Sequence, residues 1–338
     1  MPIFMIGTQR SGSNLLRLML NQLPDIAAPH PPHILQRMMP LEKSYGDLSK
    51  DKNFQLLVDD VCKLVELNPV PWEGVKLDRK NVESRCRNHS MVAAFGAVYD
   101  VMAEHGKANN WCCKSLANIN YLSDIEAYYG DAARYIYLYR DGRDVAVSFR
   151  KAVVGEKHPY HIGNEWGGTQ RIALSQRKQI EPKRFFNLSY ETLTGSPEKA
   201  MRGLCEFLGV TYTDAMLDFH ESSEAKNAAK SSELWSNVVK PVMADNSNKF
   251  LREMTAEDVR TFELVAGDVL DALGYKRFQT KVGETKKFTA TEIQGFDAEN
   301  QRLKQEVLSK VDPEDMKRRD QQAGLIKQIK DRQQAAKA

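Results

Sequence analysis

The sequence predicts a three-layer α/β fold in which helices cover both faces of a central parallel sheet. Three short apolar segments have the length and composition of buried strands, at residues 2–7, 133–139 and 185–190. A segment with apolar residues at helical spacing follows each of them. Strands that alternate with helices in this way are typical of a parallel sheet buried between two layers of helices.

The first strand leads into a tight turn and then into a helix. Residues 2–7 precede a polar turn rich in glycine and serine, which covers residues 8–14. Leucine and methionine then recur at helical spacing over residues 15–23, until Pro24. This succession of strand, loop and helix is half of a βαβ unit.

The second and third strands also precede helices. Residues 133–139 run into a helix with Asp144 near its N-terminus, where a carboxylate suits the helix dipole. The third strand precedes a helix over residues 197–208, with a proline in its first turn and a glycine after its end. Helical periodicity also marks residues 51–66, 88–105 and 259–273.

The C-terminal part of the chain differs in composition from the rest. Gln, Lys, Glu and Ala dominate residues 281–338, which predict two charged helices broken at Pro313. We expect residues 1–280 to form the globular domain and the extension to be solvated, to meet a partner or to join copies of the chain. The extension holds 13 Lys/Arg and 10 Asp/Glu, and the domain holds 35 of each. An anion site in this neutral domain must therefore arise from local arrangement.

The composition excludes several classes of protein. The 338 residues are 42% hydrophobic and 28% charged, as in an ordinary globular protein. No apolar run approaches the ~20 residues of a membrane-spanning helix, and the N-terminus lacks the basic flank of a signal peptide. Five irregularly spaced cysteines favour a reducing, cytoplasmic location. No His/Cys/Asp cluster is present, so we expect no metal, and we expect no nucleic-acid partner.

The turn after the first strand is suited to hold a phosphate. Backbone N–H groups at the start of a helix bind anions, and the spacing from Gly7 to Gly12 is that of a P-loop. Ser13 and Asn14 stand where an ATP-binding loop has its lysine and its hydroxyl, which weakens a kinase interpretation. The cation of this loop is Arg10, whose forked donors suit a phosphate. The alternative is an ordinary turn with a surface arginine.

A second candidate anion site follows the second strand. Arg140 lies at the end of that strand, and Ser148 lies two helical turns further on. A phosphate beside the strand end can receive the guanidinium from one side and the hydroxyl from the other. The alternative is a capped helix whose charged residues form a surface ion network.

Together these two segments resemble the motifs that bind 3′-phosphoadenosine 5′-phosphosulfate (PAPS) in the sulfotransferase superfamily. The run from Arg10 to Arg17 is most similar to the tyrosylprotein and bacterial branches. The resemblance implies that the first loop holds the 5′-phosphosulfate and that Arg140 and Ser148 hold the 3′-phosphate. The implied loop ligands are Arg10, Ser11, Gly12, Ser13 and Asn14. Asn14 departs from the family, which usually has Thr or Ser there.

Further segments resemble the family in the expected order. Lys114 begins a stretch similar to the family's KTPxN segment, and Tyr190 belongs to a YEDL-like segment whose tyrosine lies against the adenine. Residues 236–241, followed by Lys249, resemble the segment that covers the cofactor. The resemblance therefore adds Lys114, Tyr190, Ser236 and Lys249 to the predicted site.

The implied reaction is an in-line transfer of a sulfuryl group from PAPS to an acceptor hydroxyl or amine, with 3′-phosphoadenosine 5′-phosphate (PAP) as product. Arg10 and Lys114 are the predicted cations on the leaving side, since charge grows there. Counted from the shared Pro24, His30 falls at or beside the place of the branch's catalytic glutamate, and it is the predicted general base. His33 and Lys114 are the alternatives.

Two other functions are weighed against this one. The first is a P-loop-type small-molecule kinase, and the second is a non-catalytic protein that binds an adenosine bisphosphate and acts through its helical extension. The intact set of cations and Ser148 favours an enzyme. The acceptor is predicted only as a small molecule, a carbohydrate or a peptide.

Overall fold

A central sheet of five parallel strands organises the computed structural model, which describes residues 1–231, 237–243, 245–309 and 313–335. The strand order is β2–β3–β1–β4–β5. The strands are β1 (Pro2–Gly7), β2 (Ile26–Ala27), β3 (Asn110–Cys113), β4 (Arg134–Tyr139) and β5 (Phe185–Ser189). The predicted α/β fold with a parallel sheet is therefore confirmed.

Helices account for most of the remaining described residues. They are α1 (Ser13–Leu20), α2 (Ile34–Met38), α3 (Asp51–Glu66), α4 (Arg79–Ser84), α5 (Met91–His105), α6 (Leu122–Tyr129), α7 (Gly142–Lys151), α8 (Pro159–Gln176), α9 (Tyr190–Gly195), α10 (Pro197–Leu208), α11 (Ser223–Ser231), α12 (Phe250–Glu253), α13 (Ala256–Ala272), α14 (Ala290–Leu308) and α15 (Pro313–Ala335). None of the helices in the described ranges is both long and apolar enough to cross a membrane.

Both faces of the sheet are buried, as the apolar strands predicted. Side chains alternate along β1, so that Phe4 and Ile6 pack into one core and Ile3 and Met5 into the other. Helices α3 and α5 cover the first face, and α1 and α10 cover the second. This arrangement leaves the ends of the strands as the places where polar loops meet.

The two strands that carry the predicted anion elements are direct neighbours. β1 pairs in parallel with β4, and Gly7 lies opposite Leu138. Gly7 has a φ of 137°, and a Cβ there would lie 2.1 Å from the Leu138 carbonyl oxygen. Because both strands end at the same edge of the sheet, the loops that follow them begin side by side.

Sequence periodicity did not identify the two short strands. β2 has two residues and β3 has four, which is too short for an alternating pattern to emerge. β2 is an edge strand that pairs with β3, which in turn lies against β1. Their pairing partners, not their own composition, define them as strands.

The C-terminal extension contacts the domain along two helices. The extension forms two helices with a break before Pro313, as predicted, since α14 ends at Leu308 and α15 begins at Pro313. α14 packs against α8, and α15 packs against α3 and the 3-10 helix at residues 39–45. Leu325 and Ile329 of α15 are buried in the same core as α3.

Candidate active site

A cleft of about 910 Å³ lies at the carboxyl ends of β1 and β4. Both predicted anion elements line it. The predicted residues on its wall are Arg10, Gly12, Ser13, Asn14, Lys114, Arg140, Ser148, Tyr190 and Lys249. Ser11 is fully buried beneath the loop, and Ser236 lies outside the described residues.

The loop after β1 depends on left-handed backbone at two positions. Gly12, the N-cap of α1, has a φ of 87°, and Arg10 has a φ of 68°. A Cβ at Gly12 would lie 2.5 Å from the Tyr190 ring, so only glycine fits there. No side chain in the described part of the chain caps α1, which leaves the N–H groups of its first turn available to an anion.

Arg10 joins the two anion elements. Its Nε donates a hydrogen bond of 2.9 Å to Ser148 Oγ, and its backbone carbonyl accepts one of 3.1 Å from Arg140 Nη1. Burial and the neighbouring Arg140 guanidinium lower the pKa of Arg10. Two segments about 130 residues apart in sequence therefore form one cationic site.

Arg140 is held among several partners. Its guanidinium lies 4.2 Å from the centre of the Tyr190 ring, and Nη2 donates to the Asn246 carbonyl. The Asn246 side chain donates a 2.7 Å hydrogen bond to the Tyr190 hydroxyl. The nearest carboxylate, Asp144, is 3.8 Å from Arg140 Nη2.

Asp144 fixes the segment that carries Lys249. Its carboxylate accepts hydrogen bonds from the backbone N–H groups of Asn248 and Phe250, at 2.7 Å and 3.0 Å. This buried aspartate, expected only to suit the helix dipole, thus also anchors residues 246–250 beside the cleft. Its second role has no signal in the sequence, because its partners are backbone groups about 105 residues away.

Lys114 reaches the first loop from β3. Its Nζ donates a 2.8 Å hydrogen bond to Asn14 Oδ1, so the residue that departs from the family pattern accepts from the predicted catalytic cation. Burial is the main reason why the pKa of Lys114 falls to about 7, with Arg17 and Arg10 adding repulsion. Lys114 therefore changes its charge near neutral pH.

The two candidate histidines line different cavities. His33 lies in the cleft, where Nδ1 is 3.0 Å from Ser115 Oγ, and burial lowers its pKa to about 3. His30 lines a second cavity of about 430 Å³, together with Trp72 and Glu224. Burial also lowers the pKa of His30 well below its usual value. The two ring centres are 6.5 Å apart, although the rings line different cavities.

The cleft also has walls that sequence patterns did not identify. Arg37 and residues 152–154 line it, and so do Glu306 and Val307 at the end of α14. Arg37 makes no ion pair within the described ranges, and burial lowers its pKa. These residues share no motif, so only the fold brings them together. In the part of the chain that the structure describes, no group of His, Cys, Asp and Glu could hold a metal ion.

Comparison with known proteins agrees with this geometry. The family model described as "Sulfotransferase family" matches residues 2–214. The protein-tyrosine sulfotransferase of Drosophila melanogaster is 24% identical over 282 residues, which cover 81% of this chain and about half (51%) of that protein. Protein-tyrosine sulfotransferase 1 of Danio rerio is 24% identical over 285 residues, covering 81% of this chain and 72% of its own.

The fold has counterparts among solved structures. The sulfotransferase domain from the curacin biosynthetic pathway superposes with a TM-score of 0.56 at 22% identity, covering 81% of this chain and 97% of that domain. This likeness concerns the fold, while the family match covers both anion elements and the sheet between them. The chain belongs to the sulfotransferase family.

Proposed function

We propose that the chain transfers a sulfuryl group from PAPS to a hydroxyl or amine of an acceptor by in-line displacement. The observation that carries the proposal is the meeting of Arg10, Arg140 and Ser148 in one cleft. Arg10, Lys114 and Lys249 make no ion pair with any described carboxylate, although Lys114 is buried and Arg10 is half-buried. Buried cations without a carboxylate partner favour an anionic ligand.

The roles of these residues follow from their places in the cleft. We assign the 5′-phosphosulfate to the loop of residues 10–14 and the 3′-phosphate to Arg140 and Ser148. PAPS, when bound, supplies an activated sulfuryl group with a phosphate as its leaving group. Arg10 and Lys114 would stabilise the charge that grows on that phosphate. We assign Tyr190 to the side of the adenine and Lys249 to the segment that covers the cofactor.

The general base has three candidates with different merits. His33 lines the same cleft as Arg10 and is neutral at ordinary pH, since its pKa is about 3. Lys114 has a pKa near 7, but its charge is needed on the leaving side. His30, the residue predicted from the shared Pro24, lines the second cavity. We therefore propose His33 first and keep His30 and Lys114 as alternatives.

Calorimetry with PAP, ATP and adenosine 5′-phosphate, without Mg²⁺, tests the proposed cofactor. We expect PAP to bind far more tightly than the other two, because only PAP has a 3′-phosphate for Arg140. Arg140→Ala should weaken PAP binding by about 2–4 kcal/mol, since a phosphate loses its partner in a partly desolvated site. Arg202→Ala, at an exposed arginine paired with Glu198, is the control.

Each alternative function has its own outcome in the same experiment. Preference for ATP would support a small-molecule kinase. Tight PAP binding with no transfer to any member of an acceptor library, which should include a tyrosine peptide, would support a non-catalytic binding protein. Equal affinities for PAP and adenosine 5′-phosphate would reject the assignment of Arg140. A cytoplasmic location and self-association through the C-terminal helices stay predictions.

A further inference from the structure

The last turn of α14 forms part of the cleft wall. Glu306 and Val307 line the cleft together with Val153 and Val154, which follow the helix that carries Ser148. We call His33, Arg37, residues 152–154 and these two α14 residues the acceptor half of the cleft. The cofactor half consists of residues 9–14 and 140–148 with Lys114, Tyr190 and Lys249.

A single buried side chain of α14 holds the loop that follows α7. The Asn300 Oδ1 atom accepts hydrogen bonds from the backbone N–H groups of Lys157 and His158, at 2.8 Å and 3.0 Å. Its Nδ2 donates to the Glu156 carboxylate. Asn300 is only 3% exposed, so water cannot readily replace these bonds.

Further contacts tie the same loop down. Lys304, one turn after Asn300, donates a 2.8 Å hydrogen bond to Glu156 Oε1. The buried Lys157 ammonium donates to the carbonyls of Val154 and Gly155, both at 2.8 Å. Residues 154–158 are therefore bonded to α14 and to themselves, and Val154 is the member that faces the cleft.

The helix itself is firmly placed. A capping box formed by Thr289 and Glu292 starts α14, and Phe296 stacks on His158 with ring centres 4.6 Å apart. Beyond α14, the buried Ile329 of α15 anchors the extension in the core of the domain. A wall made by α14 is thus attached at both of its ends.

We propose that α14 is the acceptor-side wall of the active site, and that Asn300 is the positioning residue that keeps this wall closed to water. The inference rests on the proposed function. Val153, Val154 and Val307 present apolar surface to the cleft, so the wall would contact an apolar part of the acceptor beside its nucleophile. A closed wall favours transfer to the acceptor over transfer to water.

Hydrolysis of PAPS without an acceptor measures this closure directly. In that reaction the oxygen of water forms a new S–O bond and the phosphate oxygen leaves, so that sulfate, fully ionised PAP and both protons of the water are released. Asn300→Ala in the full chain should raise this rate about tenfold, because the loop loses three hydrogen bonds to a buried side chain and opens. PAP affinity by calorimetry should stay unchanged. Gln301→Ala, at the exposed neighbouring position, should change neither quantity.

A pair of substitutions that exchanges the amide of Asn300 and the carboxylate of Glu156 distinguishes a positioning role of Asn300 from a general loss of stability. Asn300→Asp keeps the acceptors for the two backbone N–H groups but sets a carboxylate against Glu156, so we expect faster hydrolysis. Adding Glu156→Gln restores a donor to that contact and should bring the rate back toward that of the wild type. Loosening of the whole fold would not be reversed by this second change.

The outcomes distinguish the wall from the function on which it rests. If Asn300→Ala binds PAP and hydrolyses PAPS at the wild-type rate, α14 is not the acceptor-side wall, and the sulfotransferase proposal stays in place. Equal losses of PAP affinity in the alanine variant and in the double variant would also overturn the proposed wall, since α14 would then support the cofactor half. Failure of the wild-type chain to bind PAP would overturn both proposals.

Discussion

The cofactor half of the cleft comes mainly from segments that directly follow two paired strands, whereas much of the acceptor half comes from segments far apart in the chain. Residues 9–14 and 140–148 leave β1 and β4 at the same edge of the sheet. The loop beside Val154 depends instead on Asn300, which is about 143 residues away from Lys157. The sheet thus positions the proposed anion site, and we expect that the proposed acceptor wall can vary without disturbing it.

This difference predicts that the two halves respond separately to substitution. Changes in the acceptor half should alter turnover and leave PAP affinity almost unchanged. Changes in the cofactor half should alter PAP affinity, except where a residue acts mainly on the transition state.

The largest effect is expected at His33. His33→Ala should lower kcat by about 10²–10⁴-fold, the usual reach of a positioned base, with little change in PAP affinity. In the tautomer whose Nδ1 donates to Ser115 Oγ, which lies 3.0 Å away, Nε2 is the nitrogen that can accept the proton. His30→Ala is the matched control, because both rings flank the same proline-rich loop and their centres lie 6.5 Å apart.

Single-turnover rates with saturating PAPS would decide between the two histidines. A loss in His30→Ala that is as large as the loss in His33→Ala would show that the loop matters but not which histidine is the base. A loss confined to His30→Ala would restore the residue predicted from the sequence.

Arg10 lies in the cofactor half, but we expect its substitution to affect turnover more than PAP affinity. Arg10→Ala should lower kcat by about 10²–10³-fold, more than it weakens PAP binding, because the guanidinium meets charge that develops during transfer. Stopped-flow turnover and PAP calorimetry on the same variant measure both effects. If PAP affinity collapses while the single-turnover rate at saturation is intact, Arg10 is only a binding residue.

The sequence predicted most of the fold and the residues that meet in the proposed cofactor half, because both depend on local patterns. The apolar run at residues 2–7, the glycines at positions 7 and 12 and the spacing from Arg140 to Ser148 are all contained in short segments. The helices at residues 51–66 and 197–208 have the predicted bounds. Each of these features follows from a local periodicity or from the conformational freedom of glycine.

The acceptor half could not be predicted in the same way. Asn300 lies in a charged helix, where it has no distinguishing neighbours, and its role depends on backbone groups of a distant loop. The positions of His30 and His33 differ because the intervening backbone turns, with His33 in left-handed conformation at a φ of 59°. Counting residues from Pro24 cannot show such a turn.

A smaller effect, on stability alone, is expected where the extension enters the core. Ile329→Ala should lower the free energy of unfolding by about 2–5 kcal/mol, because it leaves a cavity beside α3. PAP affinity should not change, since α15 contributes no described residue to the cofactor half. Denaturant unfolding of this variant and of Lys330→Ala, at the exposed next position, provides the test. Equal midpoints in the two variants would contradict the packing of α15 on the domain.

The smallest and most diagnostic effect is a pH dependence that originates in the cofactor half. Lys114 has a pKa of about 7 in the free protein, so its positive charge is lost as the pH rises through that value. If the ammonium holds the phosphosulfate, PAP affinity should fall above pH 7, approaching about tenfold per pH unit. Measurements should stay above about pH 6, where the phosphates of PAP begin to take up protons.

The Lys114→Met variant is the control. It should bind PAP more weakly and show no such dependence on pH, because the methionine side chain does not titrate. His33, with a pKa of about 3, adds no slope in this range. A value of kcat/KM that rises through pH 7 and loses that rise in Lys114→Met would instead make Lys114 the base, since a base must be neutral to accept the proton.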